Sequence, residues 1–254
     1  MQMTGNTILI TGGSSGIGRA LAEAFHARGN QVIITGRRKG LLDEIAAAHP
    51  GITAMELDVE DPKAIATFAH DVTAKFPKLN VLVNNAGIMK LESLTSDPVD
   101  VSTAEATITT NLLGPIRLSA ALLPHLKAQP EATLITVSSG LAFVPRADYP
   151  AYCATKAAIH SWSQSLRYQL RNSTVQVLEL APPYVQTELT GAHQLTDDRA
   201  MPLSAFISEV MTLLEQPPAN GEILVQRVHP LRFAEAGGKY DGFYAQFNAA
   251  VFKA

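Results

Sequence analysis

Tyr152 and Lys156 lie four residues apart in a stretch that opens Ser138-Ser139-Gly140 and closes Tyr152-Cys153-Ala154-Thr155-Lys156. On a helix that spacing puts a phenol and an ammonium on one face. The positive charge favours the phenolate, so Lys156 is expected to lower the tyrosine pKa. A phenol tuned in that direction exchanges a proton with an alcohol or carbonyl oxygen. A serine upstream, Ser139 or its neighbour Ser138, is available to hydrogen-bond the same oxygen. Alone, Tyr-x-x-x-Lys says little, because polar i,i+4 pairs are common on solvated helix faces.

A second constellation lies near the N-terminus. The run Thr7-Ile8-Leu9-Ile10 leads into Thr11-Gly12-Gly13-Ser14-Ser15-Gly16-Ile17-Gly18, and an alanine-rich helical pattern follows. A strand that enters a helix through glycines brings exposed N–H groups and the positive end of the helix close to a phosphate. The spacing is Gly-x-x-x-Gly-x-Gly rather than the Gly-x-Gly-x-x-Gly dinucleotide fingerprint.

The elements that must hold these residues alternate. Apolar, β-branched runs at 7–11, 31–35, 52–57, 81–84, 133–138, 175–180 and 222–226 read as strands. Helical patterns fill 17–28, 39–49, 62–76, roughly 100–127, 149–171 and 204–215. Near-continuous apolar strands separated by helices predict an α/β fold: a Rossmann-type, doubly wound, parallel seven-stranded sheet with helices on both faces. No linker divides residues 1–254, so one NAD(P)-binding domain is expected. Three irregular stretches follow strands, near 89–100, 140–150 and 182–202. Ligands of open α/β sheets bind beyond the carboxyl ends of the strands. These stretches are therefore the expected walls of a substrate pocket, with Leu141, Phe143, Val144, Tyr184, Leu189 and Leu195 as apolar lining.

Composition excludes several classes. Hydrophobic residues make up 46% and charged residues 17%, a globular balance. A net charge of −3 leaves no basic footprint for nucleic acid. No apolar run approaches the length of a membrane helix. A strand within the first ten residues leaves no room for a leader. The single cysteine, Cys153, rules out an internal disulfide and fits a reducing compartment, so a cytoplasmic protein is expected. Seven histidines show no metal-ligand spacing, and no metal is expected.

Taken together, the motifs go further. Thr11-Gly12 with Gly16 and Gly18, Asn84-Asn85-Ala86-Gly87 after the fourth strand, Asn111, Ser139 and Tyr152/Lys156 occur in one order at characteristic separations. The chain resembles the short-chain dehydrogenases/reductases over residues 6–226. Pro182-Pro183 and the tail containing Val228-His229-Pro230-Leu231-Arg232 resemble a subgroup typified by an oxidoreductase of the D-alanylation operons.

The resemblance implies roles. Tyr152 is the expected general acid in carbonyl reduction and the base in alcohol oxidation. Lys156 would lower its pKa and bond the nicotinamide ribose, and Ser139, favoured over Ser138 by the family register, would polarise the substrate oxygen. Asn111 matches the residue that interrupts a long helix and holds a water of the proton relay. Gly12, Ser14, Ser15, Gly16, Ile17 and Gly18 would cradle the phosphates. Asp58, with Val59 after it, matches the acceptor of the adenine amine, although a carboxylate just before Pro62 also suits a helix N-terminus. Asn85, Ala86 and Gly87 match a turn beside the adenosine ribose, where a structural role for Asn85 is equally open. Pro182, Val185 and Thr187 match a segment that holds the carboxamide and phosphates, but Pro183 replaces its glycine.

At the end of the second strand Gly36 occupies the place of an acid that would bind the ribose of NAD, and Arg37 and Arg38 follow. Guanidinium pairs with phosphate, so NADP(H) is the expected cofactor, with NAD(H) as the alternative. The expected partners are a small carbonyl or alcohol substrate and further copies of the chain in a homodimer or homotetramer, with no nucleic acid or membrane. Relatives that bind the nucleotide as sensors without turnover usually lose the tyrosine or the lysine, and both are present here.

Overall fold

The computed structural model describes residues 1–249. Seven strands form one sheet: β1 (Thr7–Thr11), β2 (Gln31–Gly36), β3 (Ile52–Glu56), β4 (Leu79–Asn84), β5 (Ala132–Val137), β6 (Val175–Leu180) and β7 (Glu222–Ile223). They are ordered β3-β2-β1-β4-β5-β6-β7, and every neighbouring pair is parallel. The order reverses between β1 and β4, which opens a crevice at the carboxyl ends of the strands.

Alternation along each strand explains why both faces are covered. Ile8 and Ile10 of β1 point into one core, with Val32, Ile34, Val81 and Val83 beside them. That core is closed by α1 (Gly16–Ala27), α2 (Lys39–Ala48) and α7 (Leu203–Glu215), through residues such as Phe25, Leu42 and Phe206. Leu9, Ile33, Leu82 and Leu134 point the other way, onto α3 (Pro62–Lys75), α5 (Gly114–Ala128) and α6 (Pro150–Gln169). Burial on both faces is what produces the unbroken apolar runs of the sequence.

Three departures from expectation matter for the site. The helix expected over 100–127 is α4 (Ser102–Ile108), a π-helical turn at Thr109–Leu113, and then α5. The expected strand 222–226 contracts to the two residues of β7, because the chain turns into a short helical turn at Gln226–Val228. Beyond it lie α8 (His229–Arg232) and α9 (Tyr240–Ala249), neither expected.

Candidate active site

The glycine turn between β1 and α1 is built by close contact. Gly12 has φ of +68°, and a Cβ there would stand 2.9 Å from the Ala86 backbone. A Cβ on Gly18 would come within 2.4 Å of both Asn85 Nδ2 and the Gly12 carbonyl oxygen. Asn85 Nδ2 donates to the carbonyl oxygens of Thr11 (2.9 Å) and Gly12 (3.3 Å). The Thr11 hydroxyl accepts from the N–H groups of Asn85 and Ala86, each at 3.0 Å. Of the two roles open for Asn85, these bonds supply the structural one: it locks the turn to the end of β4.

The catalytic candidates gather along α6 and the end of β5. Tyr152, Thr155 and Lys156 are buried on the inner face of α6. The Lys156 ammonium lies 5.6 Å from the Tyr152 ring centroid and donates to the Val137 carbonyl oxygen at 2.7 Å. Ser139 caps the short turn that follows β5, its hydroxyl accepting from Leu141 N at 3.1 Å. Ser138 also lines the cleft, but its hydroxyl donates to the buried Glu179 carboxylate at 2.5 Å. That carboxylate also meets His160 Nδ1 at 2.8 Å.

Asn111 sits in the π turn, as an interruption of the long helix. Its Oδ1 accepts from Ile88 N at 2.8 Å and its Nδ2 donates to Ile88 O at 2.9 Å. A π turn widens the helix by one residue, and here the bulge delivers an amide to the segment after β4.

The charges run against one expectation. Burial pushes the Tyr152 phenol up to about 12, with hydrogen bonding to Ser139 only partly offsetting it. Burial pushes Lys156 down to about 8, opposed by the charge of Glu179. The net shift of Tyr152 in the protein by itself is therefore upward, opposite to the lowering expected from Lys156. Both groups are desolvated, and each disfavours its own charged form. Cys153, on the neighbouring side of the helix, is likewise pushed up to about 11 by burial and is a packed thiol bonded to the backbone of Arg146.

A cleft of about 960 Å³ connects these residues with the glycine turn. Ser14, Ser15, Gly16 and Ile17 line it with Arg37 and Arg38, and so do Ser139, Tyr152 and Lys156. Arg38 donates to the hydroxyls of Ser14 and Ser15, each at 2.7 Å. Arg37 instead pairs with Glu60 at 2.9 Å. Pro182, Val185 and Thr187 line the cleft with Asn85, Ala86 and Gly87. Gly18, Asp58, Val59 and Asn111 do not line it. Asp58 accepts from Glu60 N at 3.0 Å, while Asp61 is the N-cap of α3.

These dimensions and donors suit a dinucleotide. A family model described as short chain dehydrogenase matches residues 6–198. The chain belongs to the short-chain dehydrogenase family. Its sequence is 41% identical over 254 residues to the uncharacterized oxidoreductase DltE of Bacillus subtilis, covering 98% of each chain, which bears out the subgroup resemblance. A short chain dehydrogenase of Burkholderia cenocepacia in complex with NADP superposes with a TM-score of 0.83 at 24% identity, over 97% of this chain and 99% of that one, a likeness of fold. A serine dehydrogenase complexed with NADP+ gives a TM-score of 0.76 at 26% identity, covering 85% of this chain and 92% of its own.

Several expected pocket residues of this short-chain dehydrogenase lie elsewhere. Leu141, Tyr184 and Leu189 line the cleft, but Phe143, Val144 and Leu195 do not. Phe143 packs edge-on against His160 and under Arg232, Val144 is in the core, and Leu195 is 44% exposed. From the stretch 89–100, only Met89 and Lys90 reach the cleft.

Two contributors escaped the sequence reading. Phe243 and Phe247 of α9 line the cleft. Asn248 pins that helix, accepting from Ala147 N at 2.7 Å and donating to Pro145 O at 3.1 Å. Aromatics at 240, 243, 244 and 247 were the available signal, since their spacing is helical. The second is Gln194, which is 3% exposed. Its amide donates to Val185 O (2.7 Å) and Thr187 Oγ1 (3.1 Å), while its oxygen accepts from Thr190 N (3.0 Å) and Thr190 Oγ1 (2.8 Å). It staples the irregular stretch beside the cleft, and a lone glutamine in a polar loop gives no warning of that.

Proposed function

We propose that the protein is an NADP(H)-dependent oxidoreductase that interconverts a carbonyl and an alcohol. The observation that carries the reading is one cleft lined both by Ser139, Tyr152 and Lys156 and by Ser14, Ser15, Arg37 and Arg38. A nicotinamide cofactor, when bound, accepts or supplies the hydride. The glycine turn and the start of α1 would hold its pyrophosphate. Arg38, already bridging Ser14 and Ser15, and Arg37 beside it would hold a 2′-phosphate, and no acid follows β2 to repel one. Thr187 stands over Gly16, its Cβ 3.5 Å from where a Cβ of that glycine would be, so its hydroxyl would reach the same phosphates.

Tyr152 protonates the oxygen of a carbonyl under reduction and takes the proton back when an alcohol is oxidised. A phenol pushed up to about 12 keeps its proton at neutral pH, as the acid role requires. Ser139 donates to the same oxygen and orients it. Lys156 lies close enough to Tyr152 to stabilise negative charge as the phenol gives up its proton. Asn111 acts through position, holding the backbone of Ile88 beside the cleft.

We propose further that the protein is a homodimer or homotetramer of the cytoplasm. Ala154, Ala157 and Ser161 form an exposed face of small residues on α6, continued by Tyr168, which is 69% exposed. Light scattering giving a single-chain mass would refute this. No helix of the described residues is long and apolar enough to cross a membrane.

The test of function is NADPH consumption against a panel of ketones and aldehydes, with NADH alongside and Tyr152→Phe as control. Turnover by the wild type and a loss of about 10²-fold or more in the variant are expected. NADPH binding with no turnover of any carbonyl, or of any alcohol in reverse, would overturn the reading.

A further inference from the structure

The chain carries a net charge of −3, yet the cleft is strongly basic. Seven lysines and arginines line it against one carboxylate, Glu188. Arg37 and Arg38 stand at the nucleotide end, and Lys156 belongs to the catalytic group. Four cations remain in the lining: Lys90, Arg146, Arg199 and Arg227.

Two of the four are already neutralised. Arg146 is held by both oxygens of the buried Asp148, with its Nε at 3.0 Å. Arg199 is held by both oxygens of Asp197, at 3.0 and 2.7 Å. Asp197 also accepts from the Tyr184 hydroxyl at 3.1 Å, so its capacity is taken up. Lys90 and Arg227 form no ion pair among the described residues. Arg227 is exposed, and its Nη2 donates to the Arg199 carbonyl oxygen at 2.6 Å. A guanidinium has five donors in a planar fork. Anchoring one of them to the backbone leaves the rest oriented for an incoming oxyanion.

Arg227 and Tyr152 line the same cleft, whose apolar and aromatic lining includes Leu141, Tyr149, Leu231, Phe243 and Phe247. A cleft whose lining combines apolar side chains, a proton donor and an uncompensated, exposed cation fits a molecule that is neutral in one part and charged in another. We infer that the substrate is an oxo compound with an anionic group, a carboxylate or a phosphate. Arg227 takes the anion, with Lys90 adding to the field, while the carbonyl lies at Tyr152. The inference rests on the oxidoreductase reading and deepens it by giving the substrate class.

The experiment compares matched pairs under saturating NADPH: levulinate and its longer oxo-acid homologues against their methyl esters, and dihydroxyacetone phosphate against dihydroxyacetone. A preference for the acid or the phosphate of about tenfold or more in kcat/KM is expected, and the pair that shows it distinguishes carboxylate from phosphate. Arg227→Gln should abolish the preference through KM, leaving the neutral partner within about twofold. Arg227→Lys should restore part of it, and Lys90→Gln should weaken it by a smaller factor. Neutral substrates used as well as anionic ones, or a variant that slows both alike, would overturn the inference while leaving the oxidoreductase reading intact. If no carbonyl turns over, the oxidoreductase reading fails, and calorimetric titration of the same anions into NADP+-loaded protein decides the anion site. Binding by the wild type but not by Arg227→Gln supports it, and equal binding or none overturns it.

Discussion

Replacing Lys156 by methionine should change how stability depends on pH, in a direction set by burial. In the folded chain the ammonium is held down at about 8, while an unfolded chain keeps the ordinary value of 10.5. At 1.36 kcal/mol per pKa unit, that gap amounts to about 3 kcal/mol. Its sign follows from proton binding. Between pH 8 and 10.5 the unfolded chain holds more protons on this group than the folded one, so its contribution to stability rises with pH. Below pH 8 both states are charged and the full desolvation cost is present. Above 10.5 both are neutral and the cost is gone.

Methionine has no such window. Urea unfolding of wild type and Lys156→Met at fixed protein concentration, at intervals from pH 7 to pH 10, should show the wild type gaining on the variant by about 2–3 kcal/mol. For a chain of this size that is a relative rise of roughly 5–10 °C in Tm. The bond from Lys156 to Val137 is lost at every pH and offsets the two curves without changing their relative slope. Parallel curves would refute the reasoning: they would mean that Glu179 or solvent compensates the ammonium fully.

Three further outcomes are expected. Arg38→Ala should raise KM for NADPH about tenfold or more and leave KM for NADH within about twofold, with Arg37→Ala acting in the same direction but less, because Glu60 already holds that side chain; equal effects on both nucleotides would sink the phosphate assignment. Gly18→Ala should cost about 1–3 kcal/mol in unfolding experiments and weaken nucleotide binding measured by fluorescence, since the new methyl group meets Asn85 and the Gly12 carbonyl at 2.4 Å. Ser139→Ala should lower kcat by about 10²-fold with little change in Tm, whereas Ser138→Ala should lower stability by about 1–3 kcal/mol by stripping a partner from Glu179, with kcat largely kept; the reverse pattern in steady-state rates and melts would exchange their roles.

The sheet was legible because its strands are buried on both faces. Ile8 to Ile10 and Val32 to Ile34 read as unbroken apolar runs, and the starts of α1 to α3 fell within a residue of expectation. The grouping of Ser139, Tyr152 and Lys156 was legible for a similar reason, since one helix and one strand end carry all three. Contacts made at long sequence separation were not. Phe143 was read as pocket lining because it lies in a loop after a strand, but Arg232 and His160 draw it away. Asn248 reaches Ala147 across 101 positions, and no local pattern announces such a bond. Burial is equally nonlocal: the i,i+4 spacing of Tyr152 and Lys156 was readable, whereas the desolvation that moves both of their pKa values depends on the whole fold.

The π turn at Thr109–Leu113 lets this element hold one residue more than an α-helix of the same reach. Its five residues turn the chain about as far as four residues of an ordinary helix, so the surplus is absorbed where it occurs. Deleting one of the five would therefore leave Leu118, Leu122 and Leu126 facing the sheet, where they are wholly buried. Asn111 alone would lose its place, and with it both bonds to Ile88. The irregularity thus separates two demands on one helix: the core is indifferent to the extra residue, and the cleft depends on it.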